Sequence, residues 1–327
     1  MKRTENLSLP IYDNPESDIF KINDVNNAHE TIDKQYKELK NIKETVESTN
    51  PSANLQGQIN DINASLDNIE KKQDWFSEEF KGNTFVAHRG YSNQYPENTL
   101  KSYYEASKVG FKAWECDPWY STDGVWFNMH DTTVDRTTDG TGNTDSFSWS
   151  ELSEMNIDHG NNILYNKGLK IPTIEEILKL ASTLDDKPVI FLNIRGSLTE
   201  ESSKSLANLI VKYNYIKKSI IFCGIDNLII MRKLLPEIGL CCDSALTLPT
   251  DGVIQEMSKL TPNAMISIAN GFLIDEESGQ ILINKCRNKG LFIQAHSVGT
   301  LNVAKKVIES GVNIILSDVI SSEGGVI

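Results

Sequence analysis

Residues 84–90 read TFVAHRG: four residues suited to a buried strand, then His88, Arg89 and Gly90. Working outward, the same form recurs along the chain. It appears as KAWECD at 112–117, VWFNMH at 125–130, PVIFLNI at 188–194, SIIFC at 219–223, GLCCD at 239–243, AMISI at 264–268, LFIQAH at 291–296 and VNIILSD at 312–318. Helix-period segments separate these runs, at Asn98–Val109, Ile174–Leu184, Glu200–Tyr213, Asp226–Leu235 and Asp275–Lys289. Strand and helix in alternation read as a parallel α/β barrel or a doubly wound sheet. Several runs end in polar, reactive residues: His88, Asp117, His130, Asn193, His296 and Asp318. Reactive groups at the C-terminal ends of many different strands are the habit of the barrel. The fold expected is therefore an α/β, TIM-type (β/α)8 barrel over residues 81–327. Nine runs are one too many for eight strands. KAWECD and VWFNMH are too close for a parallel crossover with its own helix, so one run is irregular.

Residues 1–80 have another texture, rich in Asn, Asp, Glu, Lys and Ser. Leu55, Ile59, Ile62, Leu66, Ile69, Gln73 and Phe76 follow one another in alternating steps of four and three, the spacing of a coiled-coil seam. An earlier helical stretch carries Ile32, Tyr36, Leu39, Ile42 and Val46, and the Asn50-Pro51 step divides the two. The alternatives are an oligomerisation stalk and a pair of amphipathic helices folded back on the barrel. The mixture of Ile and Leu along the seam favours three or four strands over two.

Composition narrows the function. The chain has 327 residues, 32 Lys plus Arg against 45 Asp plus Glu, and a net charge of −13. A duplex nucleic-acid binder normally needs a basic face, so nucleic acid is not the expected partner. No apolar run is long enough to span a bilayer, and no charged apolar leader opens the chain. An anionic substrate would have to be held by a local positive site against the global field. The five cysteines, Cys116, Cys223, Cys241, Cys242 and Cys286, lie mostly in apolar runs and contain no C-x-x-C pair. They read as reduced core residues.

Chemistry-bearing residues are densest between Phe85 and Gly142. His88, Arg89 and Gly90 follow a strand, and Asn98 or Thr99 can cap the helix after it. Glu115 and Asp117 are two apart on one strand, so their carboxylates share a side. His130 and Asp131 end the next run. Two histidines, two carboxylates and an arginine suit metal-assisted chemistry on a phosphate. Oxygen ligands favour a hard cation, Mg²⁺ or Ca²⁺, arginine offers phosphate a planar fork, and histidines supply acid and base near neutral pH.

At these residues the sequence resembles the glycerophosphodiester phosphodiesterases, within the phospholipase-C-like phosphodiesterase barrels. FVAHRG at 85–90, PENT at 96–99, WECD at 114–117, STDG and NMHD between 121 and 131, DRTTDGTG at 135–142, IPTIEEIL at 171–178 and GVNIILSD at 311–318 carry the likeness. The resemblance implies that His88 and His130 are the acid/base pair and that Arg89 binds the phosphate. It implies that Glu115 and Asp117 hold one divalent cation, and that Glu97 orients Arg89 or His88. It further implies that the substrate's glycerol hydroxyl attacks phosphorus, giving a cyclic phosphate that water then opens. Where the family usually places Glu and then Lys, this chain has Asn193 and Arg195. Asn193 can still offer a metal its carbonyl oxygen, with weaker affinity, and Arg195 keeps the positive charge. In place of a Trp-Thr pair stand His296 and Ser297, and His296 is expected to line the substrate pocket. His29 and His159 are given no role.

Residues 17–40, SDIFKINDVNNAHETIDKQYKELK, resemble attachment segments of tail or baseplate proteins from phages of Gram-positive hosts. The leading expectation is thus a metal-dependent phosphodiesterase on a phage tail, degrading glycerol-phosphate wall teichoic acid. It would be a homotrimer bound to other tail proteins through residues 1–80, assembled in the host cytoplasm and acting at the cell surface. The alternatives are a bacterial cytoplasmic enzyme for small phospholipid-derived diesters, and a catalytically weak teichoic-acid-binding module.

Overall fold

The structure, a computed structural model, describes residues 34, 37, 38, 40, 41, 74–157, 168–244, 248–275 and 277–318. Eight parallel strands close into a barrel. β1 (Thr84–Ala87) and β2 (Ala113–Cys116) come first in the chain, and two small hairpin pairs follow: β3 (Pro118–Tyr120) with β4 (Trp126–Asn128), and β5 (Asn156–Ile157) with β6 (Leu169–Lys170). The barrel resumes with β7 (Val189–Asn193), β8 (Ser219–Cys223), β9 (Gly239–Asp243), β10 (Ala264–Ala269), β11 (Phe292–His296) and β12 (Ile314–Ser317). The order around it is β1, β12, β11, β10, β9, β8, β7, β2, so the expected TIM-type barrel is present. The ninth run is β4. Trp126–Asn128 folds back antiparallel on β3 within a segment inserted after β2, which packs around Trp119, Phe127, Met129, Val134, Leu152, Ile157 and Ile171.

The strands form where β-branched, aromatic and small apolar residues run together, because a parallel sheet flanked by helices buries both faces. Inside the barrel sit Val86, Val189, Phe191, Ile220, Phe222, Cys241, Met265, Ile314 and Leu316. Outside, the helices pack their apolar faces on the sheet. Five of them begin on a threonine, Thr99, Thr173, Thr199, Thr250 and Thr300, whose hydroxyl accepts a backbone N–H three residues on. Thr99, not Asn98, is thus the cap of Leu100–Lys108. All five cysteines are free and buried. No helix among the described residues is long and apolar enough to cross a membrane.

Trp75, Phe76 and Phe80 belong to the barrel core. They close its floor against Val189, Phe191 and Ile220. The ring of Phe76 meets Phe292 edge-on at 5.4 Å. Asn263 Oδ1 accepts the N–H groups of Trp75 (2.8 Å) and Phe76 (3.1 Å), which fixes the segment's entry. Gly239 leaves room for the plug: a Cβ there would lie 2.8 Å from the Phe76 ring. Phe76, the last position of the heptad spacing, is therefore committed to the floor. The rest of the seam, Leu55 to Gln73, lies outside the described residues, as do His29 and His159.

Candidate active site

The ends of β1, β2, β7, β11 and β12 converge on a cavity of about 370 Å³ at the C-terminal mouth of the barrel. His88, Glu115, Asn193, Arg195, His296 and Asp318 line it, with Phe222 at its base. Of the residues expected from sequence, Arg89, Asp117, Glu97 and His130 are not in this lining. Arg89 is hydrogen-bonded to Glu97 and to Glu115 of the wall, and Asp117 to Arg195 of the wall.

The polypeptide reaches this arrangement by a strained turn. Arg89 has φ of 58°, and Gly90 follows at 82°. A Cβ on Gly90 would fall within 2.9 Å of the Ser102 backbone, so only glycine fits. The turn aims the Arg89 N–H at Glu115 Oε2 (3.1 Å) and sends the Arg89 side chain to Glu97 Oε1 (3.0 Å). Glu97 therefore holds Arg89, the first of the two options expected. Asn98, also at positive φ (59°), donates Nδ2 to Asp117 Oδ2 (2.8 Å). Asn128 Oδ1 accepts the Asp117 N–H (2.7 Å), and its Nδ2 donates to Asn98 and to Tyr103.

His88 and His130 are each oriented by an aspartate. His88 Nδ1 lies 2.6 Å from Asp318 Oδ1, and His130 Nδ1 lies 2.6 Å from Asp131 Oδ1. Engaging Nδ1 leaves Nε2 of each ring for chemistry. The two environments pull the pKa values apart. Burial opposes charge on His88, but the hydrogen bond to Asp318 and the charges of Glu115 and Asp318 outweigh it, and its pKa is raised. At His130 burial wins over Asp117 and Asp131, and the pKa is lowered. Such a divergence suits one ring to hold a proton and the other to take one.

Glu115 and Asp117 are both fully buried, so they are not a solvated strand face. Arg195 donates Nε (2.7 Å) and Nη2 (2.6 Å) to Asp117 Oδ1. Glu115 forms no ion pair with a lysine or arginine side chain among the described residues. It accepts Asn193 Nδ2 on Oε1 (2.8 Å). Burial and the charge of Asp117 raise its pKa to about 7. A buried carboxylate held up in this way is short of positive charge, and its donors are of the oxygen type that hard cations take. The donor set fits a divalent cation at Glu115, with Asn193 presenting Oδ1 once its amide turns over. Asp117 would join only by releasing Arg195. Among the described residues no group of three or more His, Cys, Asp or Glu side chains gathers as for a metal ion.

Sequence reasoning gave no part in the site to Asp131, Arg136 or Asn128, read Asn98 only as a candidate helix cap, and noted Asp318 as a strand end without a partner. Asp131 and Asp318 stand next to recognised strand ends. Arg136 sits in the DRTT stretch, but its partner Glu97 is 39 residues away.

The model of the Glycerophosphoryl diester phosphodiesterase family matches residues 88–322. The chain is 33% identical over 141 residues to glycerophosphodiester phosphodiesterase 1 of Homo sapiens, a stretch covering 42% of this chain and 41% of the human protein. It therefore spans under half of that relative's length. It is 27% identical over 239 residues to the glycerophosphodiester phosphodiesterase of Caldanaerobacter subterraneus subsp. tengcongensis, covering 71% of this chain and 93% of that protein. The fold is that of a solved glycerophosphodiester phosphodiesterase from Agrobacterium tumefaciens (TM-score 0.59, 22% identity, 72% of this chain and 96% of that one). It is also that of an Oleispira antarctica phosphodiesterase in complex with the product sn-glycerol-3-phosphate (TM-score 0.61, 22% identity, 73% and 94%). The family match runs through all the site residues from His88 to Asp318, and this chain belongs to the glycerophosphoryl diester phosphodiesterase family.

Proposed function

We propose that the chain cleaves glycerophosphodiester bonds and that its substrate is a glycerol-phosphate polymer, the wall teichoic acid of Gram-positive bacteria. The observation that carries the reaction is the pair of aspartate-held histidines whose pKa values diverge at one barrel mouth. His130, neutral near pH 7, takes the proton from the attacking glycerol hydroxyl. His88, whose pKa is raised, gives a proton to the departing alkoxide. Arg89 and Arg195 hold the phosphate, each itself braced by a carboxylate. Glu115 and Asn193 would hold one Ca²⁺ or Mg²⁺, joined by Asp117 where it releases Arg195, and the ion would lower the hydroxyl pKa and offset charge growing on the phosphate. Water then opens the cyclic phosphate, with the two histidines exchanging roles.

The cavity walls favour a polyol over a choline diester. His88, Asn193, Arg195, His296, Ser297 and Asp318 present polar groups, and Phe222 is the one aromatic among the lining residues. A quaternary ammonium is best held by several aromatic faces, whereas hydroxyls and phosphates match these donors and acceptors. The stalk, the trimer and the phage-tail setting belong to the same proposal and rest on the spacing and resemblance within residues 1–80. Incubating purified polyglycerol-phosphate with the protein and a divalent cation should release glycerol phosphate. Cleavage of glycerophosphocholine but not of polymer would favour the cytoplasmic, small-diester enzyme. Polymer binding without release would favour the binding module.

A further inference from the structure

Arg136 spends every donor-bearing nitrogen on two carboxylates. Its Nη1 and Nη2 fork Glu97, at 2.9 Å to Oε2 and 2.6 Å to Oε1. Its Nε and Nη2 reach Asp131, at 2.5 Å to Oδ2 and 3.1 Å to Oδ1. Glu97 is nearly buried and also takes Arg89. Asp131 also takes His130. The result is one hydrogen-bonded path, alternating in charge from Arg89 through Glu97 and Arg136 to Asp131 and ending on His130. Its first two members follow β1, and its last three sit in the segment inserted after β2. Arg136 does not line the cavity.

We infer that Arg136 is a positioning residue that sets the phosphate-binding Arg89 and the base His130 at the same time. The inference rests on the roles proposed above for those two residues. The physical reason is geometric. A planar guanidinium can hold two carboxylates in fixed relation, which a point charge cannot. Without it, Asp131 keeps His130 as its single partner and is free to turn, taking the imidazole out of line. Glu97, nearly buried, keeps only Arg89 to balance its charge and draws that guanidinium away from the phosphate. The first change lowers kcat, and the second raises KM.

The test uses the full chain with glycerophosphoglycerol as substrate, reading kcat and KM separately. Asp131→Ala should lower kcat by about 10- to 100-fold, the usual cost of losing an outer partner of a site residue, with KM kept. Glu97→Gln should raise KM and spare kcat. Arg136→Met should do both, and adding Asp131→Ala to it should lower kcat no further, since both act through one path. Arg136→Lys keeps one charge and should recover one constant but not the other. The inference is overturned if Arg136→Lys behaves as wild type in both constants. It also fails if folded Arg136→Met does so, or if the losses of Arg136→Met and Asp131→Ala multiply. Where Arg136→Met does not fold, Arg136→Lys decides. His130→Ala and Arg89→Met separate the levels. If they retain activity, the proposed site itself is wrong. If they lose it while the Arg136 variants do not, only the coupling is wrong.

Discussion

At the residue scale, the two histidines are distinguished by what surrounds them. Removing a positioned acid or base costs about 10²- to 10⁴-fold, so His88→Ala and His130→Ala should each remove most turnover while the melting temperature holds. The pH profile follows from the directions of the shifts. The base must be neutral, and the His130 pKa lies below its ordinary 6.5, so the acidic limb falls below that value. The acid must be protonated, and the His88 pKa lies above 6.5, so the alkaline limb falls above it. Asp318→Asn removes the charge that sustains His88. It should move the alkaline limb of kcat/KM to lower pH and leave the acidic limb in place; an unmoved alkaline limb would reverse the acid/base assignment. Glu115 gives the matching statement for the cation. Asn193→Glu adds a carboxylate beside a group already short of positive charge, so it should tighten Ca²⁺ or Mg²⁺ binding in calorimetry. Excess chelator should stop turnover, and full activity in chelator would end the metal-assisted scheme. His88, His130, Glu115 and Asp117 were legible because each sits at a strand end within a short span. Asp318 and Arg136 were not assigned, because their partners lie 230 and 39 residues away: closure of the barrel between β1 and β12 brings the first pair together, and the fold of the segment inserted after β2 the second.

At the element scale, the sequence marks strands better than it marks their partners. VWFNMH reads as a strand and is one, but the same few apolar residues would suit either a barrel position or a hairpin. The short spacer after KAWECD was the only signal against the barrel. The helices Asp251–Ser258 and Leu301–Glu309 escaped the periodicity count. Each nonetheless starts after a threonine cap that a boundary search would find. Phe76 shows the limit most clearly. A four-three spacing records that one helix face is apolar and is silent on what covers it. The structure covers Phe76 with Phe80, Phe292 and the barrel floor. Phe76→Ala should therefore destabilise the barrel by about 3–5 kcal/mol in urea unfolding, as for a large aromatic lost from a core. A loss under about 1 kcal/mol, within the range of surface substitutions and modest repacking, would return Phe76 to the stalk. Truncation tests the same point. Deleting residues 1–73 should spare the fold, whereas deleting 1–80 removes Trp75, Phe76 and Phe80 together and should open the floor.

At the scale of the whole molecule, the net charge of −13 and the proposed substrate pull in opposite directions. A polyphosphate chain approaching this protein meets a net negative charge, and Arg89 and Arg195 are the positive groups that the proposed site sets against it. One weak site on such a surface would lose its polymer quickly. Three sites on a common stalk would not, because once one barrel engages, the others bind at a raised effective concentration. On the proposed reading, the spacing from Leu55 to Ile69 would supply a seam for such a stalk, whose Ile and Leu content favours three or four strands over two, with three the arrangement proposed. The full-length protein should then scatter light as a trimer, and a version lacking residues 1–73 as a folded monomer. That monomer should cleave glycerophosphoglycerol as fast per site as the trimer, since the cavity is built within one chain. On surface-bound polymer it should fall behind, and the gap should narrow as the polymer is shortened below the span of two barrels. A monomeric mass for the full chain would remove the stalk and leave single-site binding to explain capture of an anionic polymer by an acidic protein.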